Sequence, residues 1–404
     1  MIEIKGANTT AHVKTDHVDS ATMDQIREMC NLPIFAGCDV KIMPDTHAGK
    51  GSVIGFTGKL QNGIIPNIVG VDIGCGIGVA KIGDIDVDFI HVDEFITEGV
   101  PAGFKINDKP YKGTIEGLSE TCKRIGFDED EARRAIGSLG GGNHFIEIAK
   151  DETGCLHLLV HSGSRKFGKC VAEYHQRVAD KYIEECKKLR RDAREREFEE
   201  IRRKYSGVDV EKHINEAIER HQKRELNHDK VYNYLCSHDD ISNYMHDMQV
   251  ACRFAELNRE VIITKIFKHF GWNVKDMFHT VHNYVAPDGM IRKGAISARK
   301  GECLVIPINM RDGTIMGVGK GNPAWNHSAP HGAGRVLGRN QAKRTLRLAD
   351  YKAAMEGIYT TSVSINTIDE APDAYKPVEV IMEHLHETVD VVKIIKPVYN
   401  FKAD

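Results

Sequence analysis

The sequence lacks the marks of a membrane or secreted protein. No apolar run approaches the ~18 residues that a membrane-spanning helix needs, and the start, MIEIKGANTTAHVKTDHVD, has no apolar stretch behind a basic one. The 10 cysteines are scattered without a CxxC pair, which argues against a disulfide framework and against a zinc ribbon. We therefore expect a protein of the reducing cytoplasm that has no membrane partner.

The sequence also has no large excess of either positive or negative charge, and aromatic residues are few. The formal net charge is −3 and aromatic residues make up 7% of the chain. Nothing global attracts a polyanion, so a nucleic-acid role must rest on a local basic surface, and base stacking is not predicted. Hydrophobic residues at 41% and charged residues at 28% are ordinary for a soluble globular chain without disorder.

The order of short apolar runs and glycines predicts sheet in the first part of the chain. Residues 34–82 alternate β-branched runs with glycine and show no helical period. Within them, 69–71 and 77–79 are predicted as a buried strand that Asp, Gly and Cys interrupt. Residues 145–149 and 156–161 predict a hairpin, because the DETGC between them suits a turn.

The middle of the chain changes to charged, helix-like sequence. Residues 168–270 carry opposite charges four residues apart and one amphipathic run, which predicts a helical insertion. Short strands return after residue 271, a basic helix is expected at 335–347, and one helix and a strand are expected within 378–402. No repeat or linker divides the chain, so we expect one α+β domain over residues 1–404.

Five residues that can bind metal stand beside glycine or asparagine at predicted strand ends. They are Asp72 and Cys75 in VDIGCG, His144 in GGGNHFIE, His161 in VHSGSR and His282 in VHNYV. A carboxylate, a thiolate and three imidazoles suffice for one or two transition-metal sites with open positions. The alternative for each residue alone is structural: a small buried thiol or a hydrogen-bonded histidine.

The run HGAGR suggests a different chemistry. His331 has small neighbours, Gly332 and Gly334 among them, and an unshielded imidazole can be a nucleophile toward phosphorus. We expect Arg335 to begin the following helix and to point its guanidinium toward an anionic group. The alternative is a loop histidine that precedes a helix.

Other polar residues near these motifs suit supporting roles. Asn143, Glu147 and Asn283 place amide and carboxylate groups beside the presumed ligands, although turns also use asparagine. In MPDTHAGKGSVIG, Asp45 and His47 either orient a substrate or ligand or form a structural turn.

Basic residues cluster near the same motifs. The clusters are RKGAISARKG, RVLGRNQAKRTLR and the pair Arg165 and Lys166. We expect them to form a phosphate-binding surface near the metal, and ordinary surface charge is the alternative.

Seven motifs together resemble, in the same order, those of the RtcB family of RNA-splicing ligases. They are MPDTHAGKGSVIG, VDIGCG, GGGNHFIE, VHSGSR, VHNY, RKGAISAR and HGAGR, and they span residues 42–335. The resemblance implies a GTP- and Mn²⁺-dependent RNA ligase of tRNA splicing or RNA repair. Such an enzyme joins a 3′-phosphate or 2′,3′-cyclic phosphate RNA end to a 5′-hydroxyl end. It leaves the need for an activating protein open.

The resemblance also implies a role for each site residue. Two Mn²⁺ ions per chain would share the Cys75 thiolate, one held with Asp72 and His144 and the other with His161 and His282. His331 would attack the α-phosphorus of GTP and form a histidine-linked GMP. The implied nucleotide contacts are Asn143, Glu147, Asn283, Gly332, Gly334, Arg335 and Lys402.

The chain departs from the family pattern in two places. Residues 306–313 read IPINMRDG where many members read IPGSMG, and the chain ends in FKAD where members end in lysine and glycine. Both departures concern the guanine contacts, so the sequence leaves the strictness of the GTP preference open.

Two other functions fit the same residues. The first is a dinuclear metallohydrolase, such as an RNA cyclic phosphodiesterase, which transfers no nucleotide. The second is a non-catalytic protein that binds RNA ends around a single structural metal. The role of His331 distinguishes the ligase from the first alternative, and metal content distinguishes it from the second.

Overall fold

Strands from both ends of the chain share sheets with strands from its middle. The structure, a computed structural model, describes residues 1–222 and 230–403. Within these residues the strands are β1 (Ile2–Lys5), β2 (Thr10–Val13), β3 (Val40–Ile42), β4 (Phe56–Gly58), β5 (Gly76–Gly83), β6 (Phe145–Lys150), β7 (Leu156–Ser162), β8 (Lys275–Val281), β9 (Tyr284–Val285), β10 (Ile291–Lys293), β11 (Ala295–Ser297), β12 (Cys303–Asn309), β13 (Gly313–Gly319), β14 (Ser328–Pro330) and β15 (Val389–Phe401).

The helices lie between the strands and cluster in the middle of the chain. In the same described ranges they are α1 (Ser20–Asn31), α2 (Pro66–Val69), α3 (Phe89–Gly99), α4 (Leu118–Ile125), α5 (Glu129–Ala135), α6 (Arg165–Lys204), α7 (Val208–Gln222), α8 (His238–Phe270), α9 (Arg339–Thr345), α10 (Leu348–Ala354) and α11 (Val378–Leu385). Short 3-10 helices occupy Pro33–Phe35, Lys230–Tyr232, Pro323–Trp325, Ile368–Glu370 and Pro372–Ala374.

Three sheets form the β part of the described chain. Their strand orders are β1-β2-β3-β4-β10-β9, β11-β14 and β12-β13-β15-β6-β7-β5-β8. Strands β2 and β3 run parallel, whereas the neighbouring pairs of the seven-stranded sheet run antiparallel. The prediction of a single α+β domain with mixed sheets is therefore confirmed.

The stretch 168–270 is mainly helical where it is described, as predicted. It contains most of α6 and all of α7 and α8, while its residues 223–229 lie outside the described residues. The Ser237 side chain caps the start of α8 by accepting from the Asp240 N–H at 3.1 Å, and Gly271 ends it at φ 67°. That this stretch is an insertion remains a prediction.

Two local predictions hold and two are wrong. Strands β5 and β6–β7 confirm the strand at 77–79 and the hairpin, in which residues 145 and 161 pair. Residues 69–71 are not a strand, because Pro66 begins a helical turn that Gly70 ends at φ 96°. The helix expected at 335–347 begins only at Arg339, and Arg335 pairs in extended conformation with Tyr375.

Four adjacent strands of the seven-stranded sheet bring the predicted ligands to one edge. Cys75 precedes β5 and His144 precedes β6, whereas His161 lies near the end of β7 and His282 follows β8. The strand order β6-β7-β5-β8 is antiparallel throughout, so two strand starts and two strand ends lie at the same edge. The sheet therefore gathers residues that are far apart in sequence.

Helix α8 packs behind this edge and supports its loops. The guanidinium of Arg259, which is fully buried, donates to the carbonyls of Gly74 and Ser162 at 2.9 Å each. Asn258 accepts from the backbone N–H of Gly137 at 2.7 Å. Because both side chains bond loop backbone, α8 fixes the loops that carry the predicted ligands.

Two further observations bear on the class of protein. No helix in the described part of the chain combines the length and the apolarity needed to cross a membrane. All ten cysteines, every one of them within the described residues, are free. The absence of disulfides agrees with the prediction made from the spacing of the cysteines.

Replacing Arg259 by methionine tests the support from α8. We expect Arg259→Met to lower the free energy of unfolding by about 2 kcal/mol, because two buried carbonyls lose a charged donor. The measurement is denaturant unfolding, with Lys268→Met on the exposed side of α8 as the control. Equal stability of the two variants would show that the bonds from Arg259 do not hold the loops.

Candidate active site

The predicted metal ligands form two groups that share one thiol. Cys75, His161 and His282 form one group, and Asp72, Cys75 and His144 form the other. Within each group the potential ligand atoms lie within 4.8 Å of one another. The structure therefore gathers all five predicted ligands, in the two sets that the resemblance implied.

Backbone carbonyls fix the imidazole orientation at two of these ligands. His144 Nδ1 lies 2.9 Å from the carbonyl of Leu139, and His161 Nδ1 lies 3.1 Å from that of Asn143. A carbonyl only accepts, so each Nδ1 carries the proton and each Nε2 keeps a lone pair. These Nε2 atoms lie 3.4 Å and 3.3 Å from Cys75 Sγ. This arrangement suits cation binding.

Burial sets the protonation of the groups around Cys75. It raises the pKa of the Cys75 thiol well above its usual range, and the nearby Asp72 carboxylate acts in the same direction. It lowers the pKa values of His161 and His282 well below theirs, so both imidazoles are neutral. A cation that binds must displace the thiol proton, as metal–thiolate sites generally require. The donor set therefore fits transition-metal ions.

The Asp72 carboxylate is held on both oxygens. Its Oδ2 lies 3.0 Å from His144 Nε2, and its Oδ1 accepts from the Ser164 N–H at 3.2 Å. Burial acts to raise the pKa of Asp72, but the contact with the His144 imidazole and a hydrogen bond with the Cys75 thiol outweigh it, and the pKa lies below its usual value. A side chain at Gly163 would displace this carboxylate from its position.

His331 lies against the second group of ligands and is oriented by Asp45. Its ring centroid is 4.8 Å from that of His282. The Asp45 carboxylate, fully buried, accepts from His331 Nδ1 at 2.6 Å and from its backbone N–H at 3.1 Å. The Nδ1 atom is thereby the protonated one, and Nε2 keeps a lone pair. Asp45 therefore orients His331, whereas the sequence analysis expected it to orient a substrate or a ligand or to form a turn.

A cleft of about 250 Å³ opens beside His331. Its lining includes every predicted nucleotide contact: Asn143, Glu147, Asn283, His331, Gly332, Gly334, Arg335 and Lys402. Gly334 has φ 73°, and a Cβ there would overlap the carbonyl of Asp45. Glycine at this position lets the HGAGR loop lie directly on the Asp45 loop.

The two predicted asparagines already hold the ligand loops. Asn283 donates to the carbonyl of Asp72 at 3.2 Å and accepts from the Gly294 N–H at 2.9 Å. Asn143 contributes its carbonyl to His161 and faces the cleft with its side chain. Both residues therefore connect the metal ligands with the cleft.

The far end of the cleft holds buried groups without partners. Glu147 accepts from the Asn400 amide at 2.9 Å through Oε2. Within the described residues, Glu147 Oε1 and Asn400 Oδ1 are buried and accept no hydrogen bond. Burial raises the pKa of Glu147 to about 8, although Asn400 and the Lys402 charge act against it. These free acceptors suit the donors of a ligand.

A carboxylate that the sequence analysis missed organises this end of the cleft. Glu370 is buried and lies 3.1 Å from Lys402 Nζ, 3.2 Å from Arg335 Nη1 and 2.5 Å from Arg339 Nη1. Burial acts to raise its pKa, but these cations outweigh it and hold the pKa well below the usual range. The anionic group that we expected beside the Arg335 guanidinium is therefore the carboxylate of Glu370.

The available signal for Glu370 was the segment IDEAPDAYK. Three acidic residues there lie on either side of a proline and precede an aromatic residue, and Tyr375 of this segment donates to Glu370 at 2.5 Å. Lys376 donates to the carbonyls of Pro44 and Thr46 at 2.9 Å and 3.1 Å, on either side of Asp45. The segment thus supports both the cleft and the residue that orients His331.

The two departures from the family pattern lie in this cleft. The segment 306–313 forms the β12–β13 turn, where Asn309 Oδ1 accepts from the Asp312 N–H at 2.8 Å, and 307–310 line the cleft. Lys402 is buried near the end of β15 and also lies over the Phe145 ring at 5.5 Å. The altered C-terminus therefore still places a lysine in the cleft.

The prediction of a phosphate-binding surface is wrong for several of the basic residues assigned to it. Arg292 and Lys293 are buried in β10, where Arg292 donates to Ser328 Oγ at 2.9 Å. Arg165 donates to the carbonyl of Gly103 at 2.6 Å, and Lys166 pairs with Glu131. Sequence clustering did not reveal that burial and local partners occupy these cations.

Two further groups of potential ligands in the described chain fit a metal less well. At Asp151, Cys155 and His157, the Lys393 ammonium already lies 2.6 Å from the Asp151 carboxylate. At Glu256, Glu260 and His279, the Arg259 side chain donates to His279 Nδ1 at 3.3 Å, which leaves the proton on Nε2. Among residues 1–222 and 230–403, no lysine or arginine side chain bonds a potential ligand atom of the two Cys75 groups.

Comparison with known proteins decides the family. The sequence matches the family described as tRNA-splicing ligase RtcB over residues 25–125 and 123–403. The chain belongs to the RtcB family. It is 27% identical to the RNA-splicing ligase RtcB of Escherichia coli K12 and to RtcB1 of a second E. coli strain, with 96% of this chain and 95% of each relative covered. It is 24% identical to the tRNA-splicing ligase RtcB of Aeropyrum pernix, over 85% of this chain and 83% of that protein.

RtcB membership confirms the resemblance and gives the coarse function. The relatives are named as RNA-splicing ligases, which supports RNA ligation with RNA as the substrate. Two groups of metal-binding residues at the shared Cys75 are compatible with a metal cofactor.

Removing the shared thiol tests the metal site of this RtcB protein. We expect Cys75→Ala to lose divalent-cation binding at both groups, because each group then keeps only two ligands. Cys122→Ala removes another buried thiol, from α4, and is expected to bind as the wild type does. Equilibrium dialysis against Mn²⁺ measures the bound metal. Undiminished binding by Cys75→Ala would contradict the assignment.

Proposed function

We propose that this protein is a GTP- and Mn²⁺-dependent ligase that joins RNA 3′-phosphate or 2′,3′-cyclic phosphate ends to 5′-hydroxyl ends. The observation that carries the proposal is the His331 imidazole. Asp45 orients it, and it lies between a two-group metal site and a cleft with free acceptors. Membership of the RtcB family supports RNA ligation in general, and a cytoplasmic place in tRNA splicing or RNA repair belongs to the proposal.

His331 is the proposed nucleophile because its free nitrogen is defined. Asp45 Oδ2 accepts the Nδ1 proton at 2.6 Å, so the Nε2 lone pair is available. The positive charge that develops on the ring during attack is stabilised by the same carboxylate. Asp45 is thus a positioning residue for His331.

The reaction follows in three transfers. First, His331 Nε2 forms a bond to the α-phosphorus of GTP as the bond to pyrophosphate breaks. Second, an RNA 3′-phosphate oxygen attacks this phosphorus, and the electron pair of the N–P bond returns to Nε2. Third, the 5′-hydroxyl oxygen attacks the RNA 3′-phosphorus and GMP leaves, while the hydroxyl proton is lost. A 2′,3′-cyclic end must first be opened by water.

The proposed Mn²⁺ ions would be held by Asp72, Cys75 and His144 and by Cys75, His161 and His282. When bound, the ions supply positive charge that neutralises phosphate oxygens of the nucleotide and of the RNA end. The protein contributes the fixed imidazoles and the protected carboxylate of Asp72. Thiolate and imidazole alone would favour zinc, so the choice of manganese rests on the family and not on these donors.

The proposed guanine site is the far end of the cleft. Guanine presents two neighbouring N–H donors and a carbonyl acceptor. The Glu147 carboxylate, with its free Oε1, suits the donors, and the Lys402 ammonium suits the acceptor. Gly332 and Gly334 line the cleft beside His331, where the phosphates would lie, and Arg335 anchors the loop through Glu370.

A guanylylation assay tests the nucleotide, the metal and the nucleophile together. Protein incubated with Mn²⁺ and GTP labelled at the α-phosphate should become covalently labelled. His331→Ala should abolish the label, and Asp45→Asn should reduce its rate by about 100-fold or more, because the ring loses its orienting carboxylate.

The control for this assay is His238→Ala, whose side chain is 95% exposed at the start of α8. It should label as the wild type does. If the wild type opens cyclic-phosphate RNA but takes up no label, the protein is a metal-dependent phosphodiesterase and the ligase proposal fails.

The pH dependence of GTP binding tests the guanine site. Burial raises the pKa of Glu147 to about 8, so the free protein holds a neutral carboxyl at neutral pH. Guanine donors require the carboxylate, and binding therefore releases a proton and strengthens as pH rises toward about 8, approaching tenfold per pH unit. Glu147→Gln has no proton to release and should lose this dependence.

The measurement is GTP affinity in the His331→Ala background, which forms no covalent product. The proteins with and without the Glu147→Gln change share every other titrating group, so the difference between their pH profiles isolates Glu147. If the two pH profiles of GTP affinity are parallel, Glu147 does not bind the guanine base.

A further inference from the structure

A surface segment, residues 101–113, lies directly beside the loop that carries His144. We call it the rim segment. The Leu139 N–H donates to the carbonyl of Pro101 at 2.8 Å, and the Gly103 N–H donates to that of Gly140 at 2.9 Å. The Leu139 carbonyl in turn accepts from His144 Nδ1. The start of the rim segment is therefore two hydrogen bonds away from a predicted metal ligand.

The rest of the rim segment is held along its length. The Asn107 side chain donates to the carbonyl of Ile136 at 2.8 Å, and the Tyr111 N–H donates to that of Arg133 at 3.1 Å. Arg133 donates back to the carbonyl of Gly113 at 2.9 Å, and Arg165 donates to that of Gly103 at 2.6 Å. A ligand that binds here meets a preformed surface, so little ordering of the chain opposes binding.

The outer face of the rim segment joins one bare aromatic ring with lysines. Phe104 is 106% exposed, more than any other large hydrophobic residue described. Lys105, Lys109 and Lys112 of the same segment are exposed, and none of them forms an ion pair within 1–222 and 230–403. A bare ring and free ammonium groups on one short segment are the composition of a surface for single-stranded nucleic acid.

We propose that the rim segment binds single-stranded RNA next to the ends to be joined, with Phe104 stacked on a base and the lysines against backbone phosphates. This proposal rests on the proposed RNA ligation at the adjoining site. Arg339 lies where the Gly140–Gly142 loop meets the cleft: it pairs with Asp369 and Glu370, its side chain is 44% exposed, and its guanidinium would lie 3.8 Å from a Cβ at Gly142. The RNA then runs from the rim, past the Gly140–Gly142 loop, to His331.

A protein partner suits this surface less well. Three lysines stand against the single carboxylate of Asp108 in the segment, and Phe104 is its only exposed large hydrophobic side chain. Protein interfaces usually need a contiguous apolar patch, whereas one ring and flexible cations match a nucleobase and its phosphates. The charge therefore favours RNA.

Substitution of Phe104 tests the stacking. We expect Phe104→Ala to weaken binding of an RNA oligonucleotide with a 3′-phosphate about tenfold, whereas Phe104→Trp keeps or improves it. Fluorescence anisotropy measures the affinity, and in ligation the KM for RNA should rise with kcat little changed. Ile90→Ala, at another exposed hydrophobic position on α3, is the matched control and should bind as the wild type does.

Guanylylation separates this proposal from the function on which it rests. Phe104→Ala should form the His331 label at the wild-type rate, because the ring does not line the cleft beside His331 and is too exposed to affect folding. Absence of label in the wild type would overturn the proposed ligation, but anisotropy would still report on the rim.

Removal of the three lysines tests the phosphate contacts. The triple change of Lys105, Lys109 and Lys112 to alanine should reduce the slope of log Kd against log salt by about 0.7 for each lost contact with single-stranded RNA. The same change at Lys181, Lys188 and Lys212, exposed on α6 and α7, should leave the slope unchanged. If the Phe104 and rim-lysine variants bind RNA with unaltered affinity and unaltered salt slope, the proposal is wrong. It is wrong also if these variants keep RNA binding and lose only the binding of a protein partner.

Discussion

The site depends on the convergence of fixed imidazoles on the Cys75 thiol. His144 and His161 each donate a hydrogen bond from Nδ1–H to a backbone carbonyl, so each directs an Nε2 lone pair toward the same sulfur. Burial keeps the imidazole of His161 neutral and the thiol protonated until a cation arrives. When a cation binds, the Cys75 thiol can therefore lose its proton while the imidazoles keep their orientation.

The same principle extends to His331 and the cleft. Asp45 accepts a hydrogen bond from His331 Nδ1, as the backbone carbonyls do from the ligand histidines. The Nε2 atom of His331, however, lies beside the cleft. Lys376 and Gly334 hold the Asp45 loop, and Glu370 gathers the cations at the other end. The potential metal ligands, His331 and the proposed guanine site thus belong to one network of contacts that spans the two largest sheets.

Much of the site could be predicted from the sequence because its residues lie in short, glycine-marked motifs at strand ends. The hairpin was predictable because DETGC is a local turn signal. The helix at Pro66–Val69 was not, since an apolar run of that length suits either structure and proline decided it. Glu370 and Arg259 were missed because their roles arise from contacts across long sequence separations, and strand order, which no single motif encodes, brings these contacts about.

The rim segment shows how the fold can add a substrate surface to a shared reaction centre. Its backbone bonds connect it to the His144 loop, while Phe104 faces outward. The proposed chemistry depends above all on two cations sharing the Cys75 sulfur. Anomalous diffraction from crystals soaked in Mn²⁺ tests this directly: it should show two peaks, each within bonding distance of Cys75 Sγ. A single peak, or peaks confined to the group at Asp151, Cys155 and His157, would contradict a shared-thiolate centre.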